Sequence, residues 1–99
     1  MIIIGIDPGT ATTGWGVIES LENLMYVGSG VVTTAATLKP EERLEIIYKD
    51  IRSLLTRYKP DALAVEFLFF NTNAKTAMLV GQARGVVLLA AQQKQIPVF

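Results

Sequence analysis

The chain has 99 residues, about half of them apolar (51%), nine acids against nine Lys and Arg, and neither cysteine nor histidine. That length suits one globular domain over residues 1–99 with a modest core, and excludes a two-lobed enzyme. The missing residue types exclude disulfides, thiol nucleophiles, thiolate or imidazole metal ligation and a histidine general base, so metal chemistry here must use oxygen ligands.

The charge is unevenly spread although it sums to zero. All nine acids lie within residues 1–66, whereas Phe67 to Phe99 carries only Lys75, Arg84 and Lys94. Such a basic end is compatible with an anionic partner, although three cations alone support only weak, salt-sensitive nucleic-acid binding, and ordinary solvated lysines give the same pattern. No basic segment precedes the first apolar run, and the long apolar stretch Ala77 to Ala91 is interrupted by Gln82 and Arg84. Neither a targeting peptide nor a membrane span is expected, which makes the cytoplasm the default location.

In chain order, Ile2 to Ile6 is a continuous apolar run bounded by turn residues and predicts a strand buried on both faces. It ends in a carboxylate, Asp7, followed at once by a Pro8-Gly9-Thr10 turn. Thr13 to Ile18 predicts a second strand and Leu24 to Thr33 a third, with Gly28 and Gly30 marking a bulge or bend; connections this short imply an antiparallel meander. Pro40-Glu41-Glu42 opens a helix that Pro60 stops, with Leu44, Ile47, Tyr48, Ile51, Leu54, Leu55 and Tyr58 along one face. Asp61 to Glu66 predicts a fourth, buried strand, which after a helical crossover should lie parallel to the first. Asn73 caps a second helix running to about Gln93, and Ile96 to Phe99 begins another strand. A domain rarely ends on such an opening, so the chain reads as C-terminally truncated.

Two apolar runs, Ile2 to Ile6 and Ala62 to Val65, each end in an acid. If those runs are adjacent parallel strands, Asp7 and Glu66 emerge side by side, with strands about 4.8 Å apart. Neighbouring carboxylates repel unless a cation sits between them, and hard oxygen ligation suits Mg²⁺ or Mn²⁺, which can drive phosphodiester hydrolysis. The competing reading is two solvated loop acids. The second helix carries a stripe of small residues, Ala74, Ala77, Gly81 and Gly85, beside Met78 and Leu88. Mid-helix glycines cost roughly 1 kcal/mol each relative to alanine, so the stripe implies close approach of the sheet beneath or of a partner subunit. Arg84 either faces phosphate or covers apolar surface with its stem.

The segments IIIGIDPGTATTGWGVIE, EERLEIIY, YKPDALAVEFLFFN and TAMLVGQARGVVLLAA, in this order and spacing, resemble the N-terminal two thirds of the RuvC family of Holliday junction resolvases, within the ribonuclease H-like superfamily. The combination of GIDPG with Val65-Glu66 and the GQARG of Gly81 to Gly85 makes the resemblance specific. It implies a ribonuclease H-like mixed sheet, an antiparallel meander of three strands plus parallel strands, with packed helices. It also implies a dimeric, Mg²⁺-dependent endonuclease that nicks four-way DNA junctions symmetrically and works with a branch-migration helicase complex. The family's catalytic, metal-binding acids map onto Asp7 and Glu66; its remaining acids belong to a C-terminal helix that matches nothing in these 99 residues. An aromatic matching Phe69 is implicated in stacking on an unpaired base at the junction centre, worth about 1–3 kcal/mol per base, against the alternative that these phenylalanines fill a core or a dimer contact. Phe67 departs from the family's usual Gln. Lys75 and Arg84 are the candidate phosphate contacts. IGIDPGTATTGWGV also resembles the phosphate-binding hairpin of actin and sugar-kinase folds, although no second phosphate hairpin or adenosine pocket accompanies it. A junction-binding protein without catalysis is the third reading.

Overall fold

Branched and apolar residues dominate the first third of the chain, and they form three consecutive strands: β1 (Ile2–Asp7), β2 (Thr12–Ser20) and β3 (Leu24–Thr33). The computed structural model describes residues 1–66 and 74–99. Helix α1 (Pro40–Tyr58) follows, then strand β4 (Ala62–Val65) and helix α2 (Ala74–Gln93). The sheet has the order β3-β2-β1-β4, with β1 antiparallel to β2, β2 antiparallel to β3, and β4 parallel to β1. This is the mixed sheet with two packed helices that the element pattern requires.

Alternation along the strands decides which side is covered. Ile4, Ile6, Val17, Val32 and Leu63 point from the sheet into one core, where they meet Ile47, Ile51 and Leu55 of α1 and Ala83, Val87, Ala90 and Ala91 of α2. The buried α1 residues recur at four-residue steps, as a helix lying on a sheet demands, and each fully buried aliphatic side chain contributes about 1.5–3 kcal/mol. The two helices are further tied by polar groups: the Tyr48 hydroxyl donates to Gln93, and Arg52 donates to that hydroxyl at 2.8 Å.

Helix α1 begins as its sequence indicates, with Pro40 at its first position and the Lys39 amide donating to the Glu42 carboxylate at 3.0 Å. It ends with Lys59 in the left-handed region (φ 47°), whose amide still reaches the Leu55 carbonyl at 3.0 Å. Pro60 cannot continue the ladder.

The glycines of β3 have a specific cause. A bulge falls opposite Val17/Ile18, where Val27 is the extra residue. A methyl group at Gly30 would stand 2.9 Å from the Trp15 ring, and one at Gly28 would stand 2.8 Å from the Tyr58 hydroxyl. Trp15 and Tyr58 pack with ring centroids 5.7 Å apart, so the two glycines vacate the space this aromatic pair occupies.

Three expectations are adjusted. Strand β2 runs longer at both ends than Thr13 to Ile18, because β1 and β3 give it ladder partners throughout. Strand β4 is shorter than Asp61 to Glu66: Asp61 serves instead as a clamp, its carboxylate accepting from the Ile2 amide at 2.8 Å and its own amide donating to the Ile2 carbonyl at 2.7 Å. The small-residue stripe of α2 does not lie on the sheet: Ala74, Ala77, Met78, Gly81 and Gly85 are exposed, and the buried side is Ala83, Val87, Ala90 and Ala91. Ile96 to Phe99 makes a parallel bridge, Val98 with Leu63, on the outer side of β4. The proposed Asn73 cap lies outside the described residues.

Candidate active site

The parallel register pairs Ile3 with Ala62, Ile4 with Leu63, Gly5 with Ala64 and Ile6 with Val65. One step further, Asp7 and Glu66 come level, and the Glu66 amide donates to the Ile6 carbonyl at 3.1 Å. Since Ile4, Ile6 and Leu63 point into the helix-covered core, strand alternation sends Asp7 and Glu66 to the opposite face. Both residues are exposed.

That face is paved with small residues. Gly5, Gly14, Gly16 and Ala64 lie beside and below the two carboxylates, and with them line a concavity of about 460 Å³. Within the described residues, the one ion pair is Lys49 with Glu45, far along α1, so neither Asp7 nor Glu66 has a cationic partner there. Two level, uncompensated carboxylates on adjacent strands repel each other and gain from a shared cation. No group of three or more potential metal-ligating side chains gathers among the described residues. The pair therefore fits an oxygen-ligated divalent ion as a partial donor set, two side chains out of the several ligands such an ion takes.

The turn that carries Asp7 is held from within. Thr13, fully buried, donates from its hydroxyl to the Gly9 carbonyl at 2.6 Å and accepts from the Gly9 amide at 3.2 Å. Gly9 is required, because a Cβ there would collide with the Thr12 carbonyl oxygen. From outside, the Thr34 hydroxyl donates to the Thr10 carbonyl at 2.6 Å, and Arg43 Nε donates to that hydroxyl at 2.8 Å. Sequence reasoning overlooked Thr13, Thr34, Arg43 and Asp61 as supports of the site. A polar residue facing inwards in the pattern TATTGW was the one available signal, and it pointed to Thr13 alone.

Among the other candidates, Lys75 is exposed on the first turn of α2. Arg84 is half-buried, with its Nε closed off from solvent. Phe67 and Phe69 lie outside the described residues. No described helix is long and apolar enough to cross a membrane.

The family model for crossover junction endodeoxyribonuclease RuvC matches residues 3–99. The chain is 53% identical over 97 residues to the crossover junction endodeoxyribonuclease RuvC of Roseiflexus sp. (strain RS-1), covering 97% of this chain and 58% of that protein. Among solved structures it resembles T. thermophilus RuvC in complex with Holliday junction substrate, with a TM-score of 0.92 and 34% identity, over 100% of this chain and 62% of that one. The yeast mitochondrial Holliday junction resolvase Ydc2 shares the fold at 13% identity (TM-score 0.71, 97% of this chain and 48% of that one). The chain thus spans about three fifths of the length of the curated relatives it matches.

Proposed function

Because the chain belongs to the RuvC family, we propose that it forms part of a structure-selective endonuclease that resolves four-way DNA junctions by metal-dependent phosphodiester hydrolysis. The observation that carries this reading is the β1–β4 register, which levels Asp7 with Glu66 on the open face with no cation beside them among the described residues. Asp7 and Glu66 would hold a divalent ion, Mg²⁺ or in its place Mn²⁺. When bound, such an ion activates water and stabilises the leaving oxygen of a phosphodiester.

The chain's own contribution is position and access. The carboxylates sit at the ends of stiff, paired strands, and the turn after Asp7 is locked by the buried Thr13 hydroxyl. Gly5, Gly14, Gly16 and Ala64 place no bulky side chain in front of them, so a backbone phosphate can approach. Lys75, exposed beside this end of the fold, offers a phosphate contact; the half-buried setting of Arg84 favours its role as cover for apolar surface. A homodimer draws support from α2, where a Cβ at Gly81 or Gly85 would meet nothing within 4 Å among the described residues. An exposed helix that retains two glycines fits close approach by a second subunit. The junction would come from a branch-migration helicase complex, and cytoplasmic location accompanies this role. The kinase-like reading is not favoured by the family match.

Two carboxylates are too few to hold a metal pair, so the 99-residue polypeptide by itself is expected to cleave poorly. A gel assay would compare it with a family-length protein and with that protein's Asp7→Asn and Glu66→Gln variants, on a four-way junction and a linear duplex with Mg²⁺. The variants should lose nicking and keep junction binding. Wild-type cleavage rates in either variant, or efficient junction-selective cleavage by the 99-residue chain, would overturn the assignment.

A further inference from the structure

Beyond the carboxylate pair, the same end of β1 borders a second concavity, on its helix side. A cleft of about 440 Å³ opens between the β1–β2 turn and α2, lined by Gly9, Thr10, Thr12, Arg43, Thr76 and Leu79 among others. Its single charged lining residue is Arg43, on the first turns of α1. Arg43 is half-buried, and its guanidinium is anchored by one edge only, through Nε to the Thr34 hydroxyl. That hydroxyl spends its own proton on the Thr10 carbonyl, which fixes the guanidinium plane relative to the turn holding Asp7. Among the described residues no carboxylate pairs with Arg43; the neighbouring Glu42 accepts instead from the Lys39 amide.

We propose that Arg43, at the cleft beside the turn that follows Asp7, is a backbone-phosphate subsite that seats the DNA strand at this end of β1. The inference rests on the nuclease reading and deepens it. A guanidinium fixed at Nε keeps its two terminal nitrogens for a bidentate contact with phosphate, the geometry for which arginine is better suited than lysine. Arg43 is the one charged residue lining the cleft among the described residues, and phosphate contacts of this kind set strand register without reading sequence. The link through Thr34 to Thr10 then ties phosphate seating to the position of the catalytic turn.

The test measures junction affinity against salt concentration for the full-length protein, with EDTA present so that nothing is cut. Arg43→Gln should make the slope of log K against log salt shallower by about 0.9 per protomer, the amount for one phosphate lost. Arg43→Lys keeps the charge, so its slope should stay at the wild-type value while affinity drops through loss of the fork. Neutral methylphosphonates placed singly around the cleavage position give a readout that needs no variant: wild-type protein should lose affinity at one phosphate within a few nucleotides of the cut. An unchanged slope in Arg43→Gln, an equal loss of slope in Arg43→Lys, or no sensitive phosphate in the scan would overturn the proposal. Failure of wild-type protein to bind the junction would instead defeat the nuclease reading on which it rests.

Discussion

Asp61 connects the fold to the site most directly, and its removal makes a quantitative test. The β1–β4 ladder contains only four residue pairs, from Ile3–Ala62 to Ile6–Val65. Asp61 brackets its lower end with two hydrogen bonds to Ile2, at 2.8 and 2.7 Å, and the first of these comes from its carboxylate. Asp61→Ala deletes that acceptor and leaves the Ile2 amide to water, since the bond is exposed. The net loss should be about 1 kcal/mol, the usual worth of one such bond. For a chain of this size that lowers the unfolding midpoint by about 4–8 °C. Asp61→Asn keeps an oxygen acceptor of the same reach and should lose less than half as much. Thermal unfolding measures the midpoint. Equal stability of the Ala and Asn variants, or an unchanged midpoint in Asp61→Ala, would refute the idea that the carboxylate clamps the register.

Two further outcomes follow from the glycines. Gly30→Ala forces a methyl to within 2.9 Å of the Trp15 ring and should destabilise by about 1–3 kcal/mol in urea unfolding, the usual cost of overpacking, whereas Gly16→Ala, with nothing among the described residues within 4 Å of the added methyl, should be neutral or stabilising by about 0.5 kcal/mol. On α2, Gly81→Ala should leave folding intact or improve it by about 0.5–1 kcal/mol, while Gly85→Leu should weaken self-association seen by sedimentation; unchanged association in Gly85→Leu would remove α2 from the proposed dimer contact.

Much of this architecture is local in origin and therefore legible along the chain. Ile2 to Ile6 is apolar and flanked by a turn and forms a central strand, but it is buried on one face only: Ile4 and Ile6 are in the core while Ile3 and Gly5 on the other face are half-buried, because both helices pack on the same side of the sheet. The face of α1 follows from 3.6-residue periodicity, and Pro40 and Pro60 bound it by backbone chemistry alone. That two apolar runs each end in an acid is equally a property of the linear text. The ladder brought the two acids level: Ile6 pairs with Val65 across 59 positions of sequence, and a slip of one residue would send Glu66 to the opposite face from Asp7. The outward turn of Gly81 and Gly85 was not readable, because α2 is apolar on several sides and only contact with α1 and the sheet chose the buried one. The bracing of the turn after Asp7 by Thr13, Thr34 and Arg43, and the room Gly30 leaves for Trp15, arise between residues brought together by pairing and packing. No residue type announces such a partner in advance, since a threonine or a glycine acquires its role from what the fold sets against it.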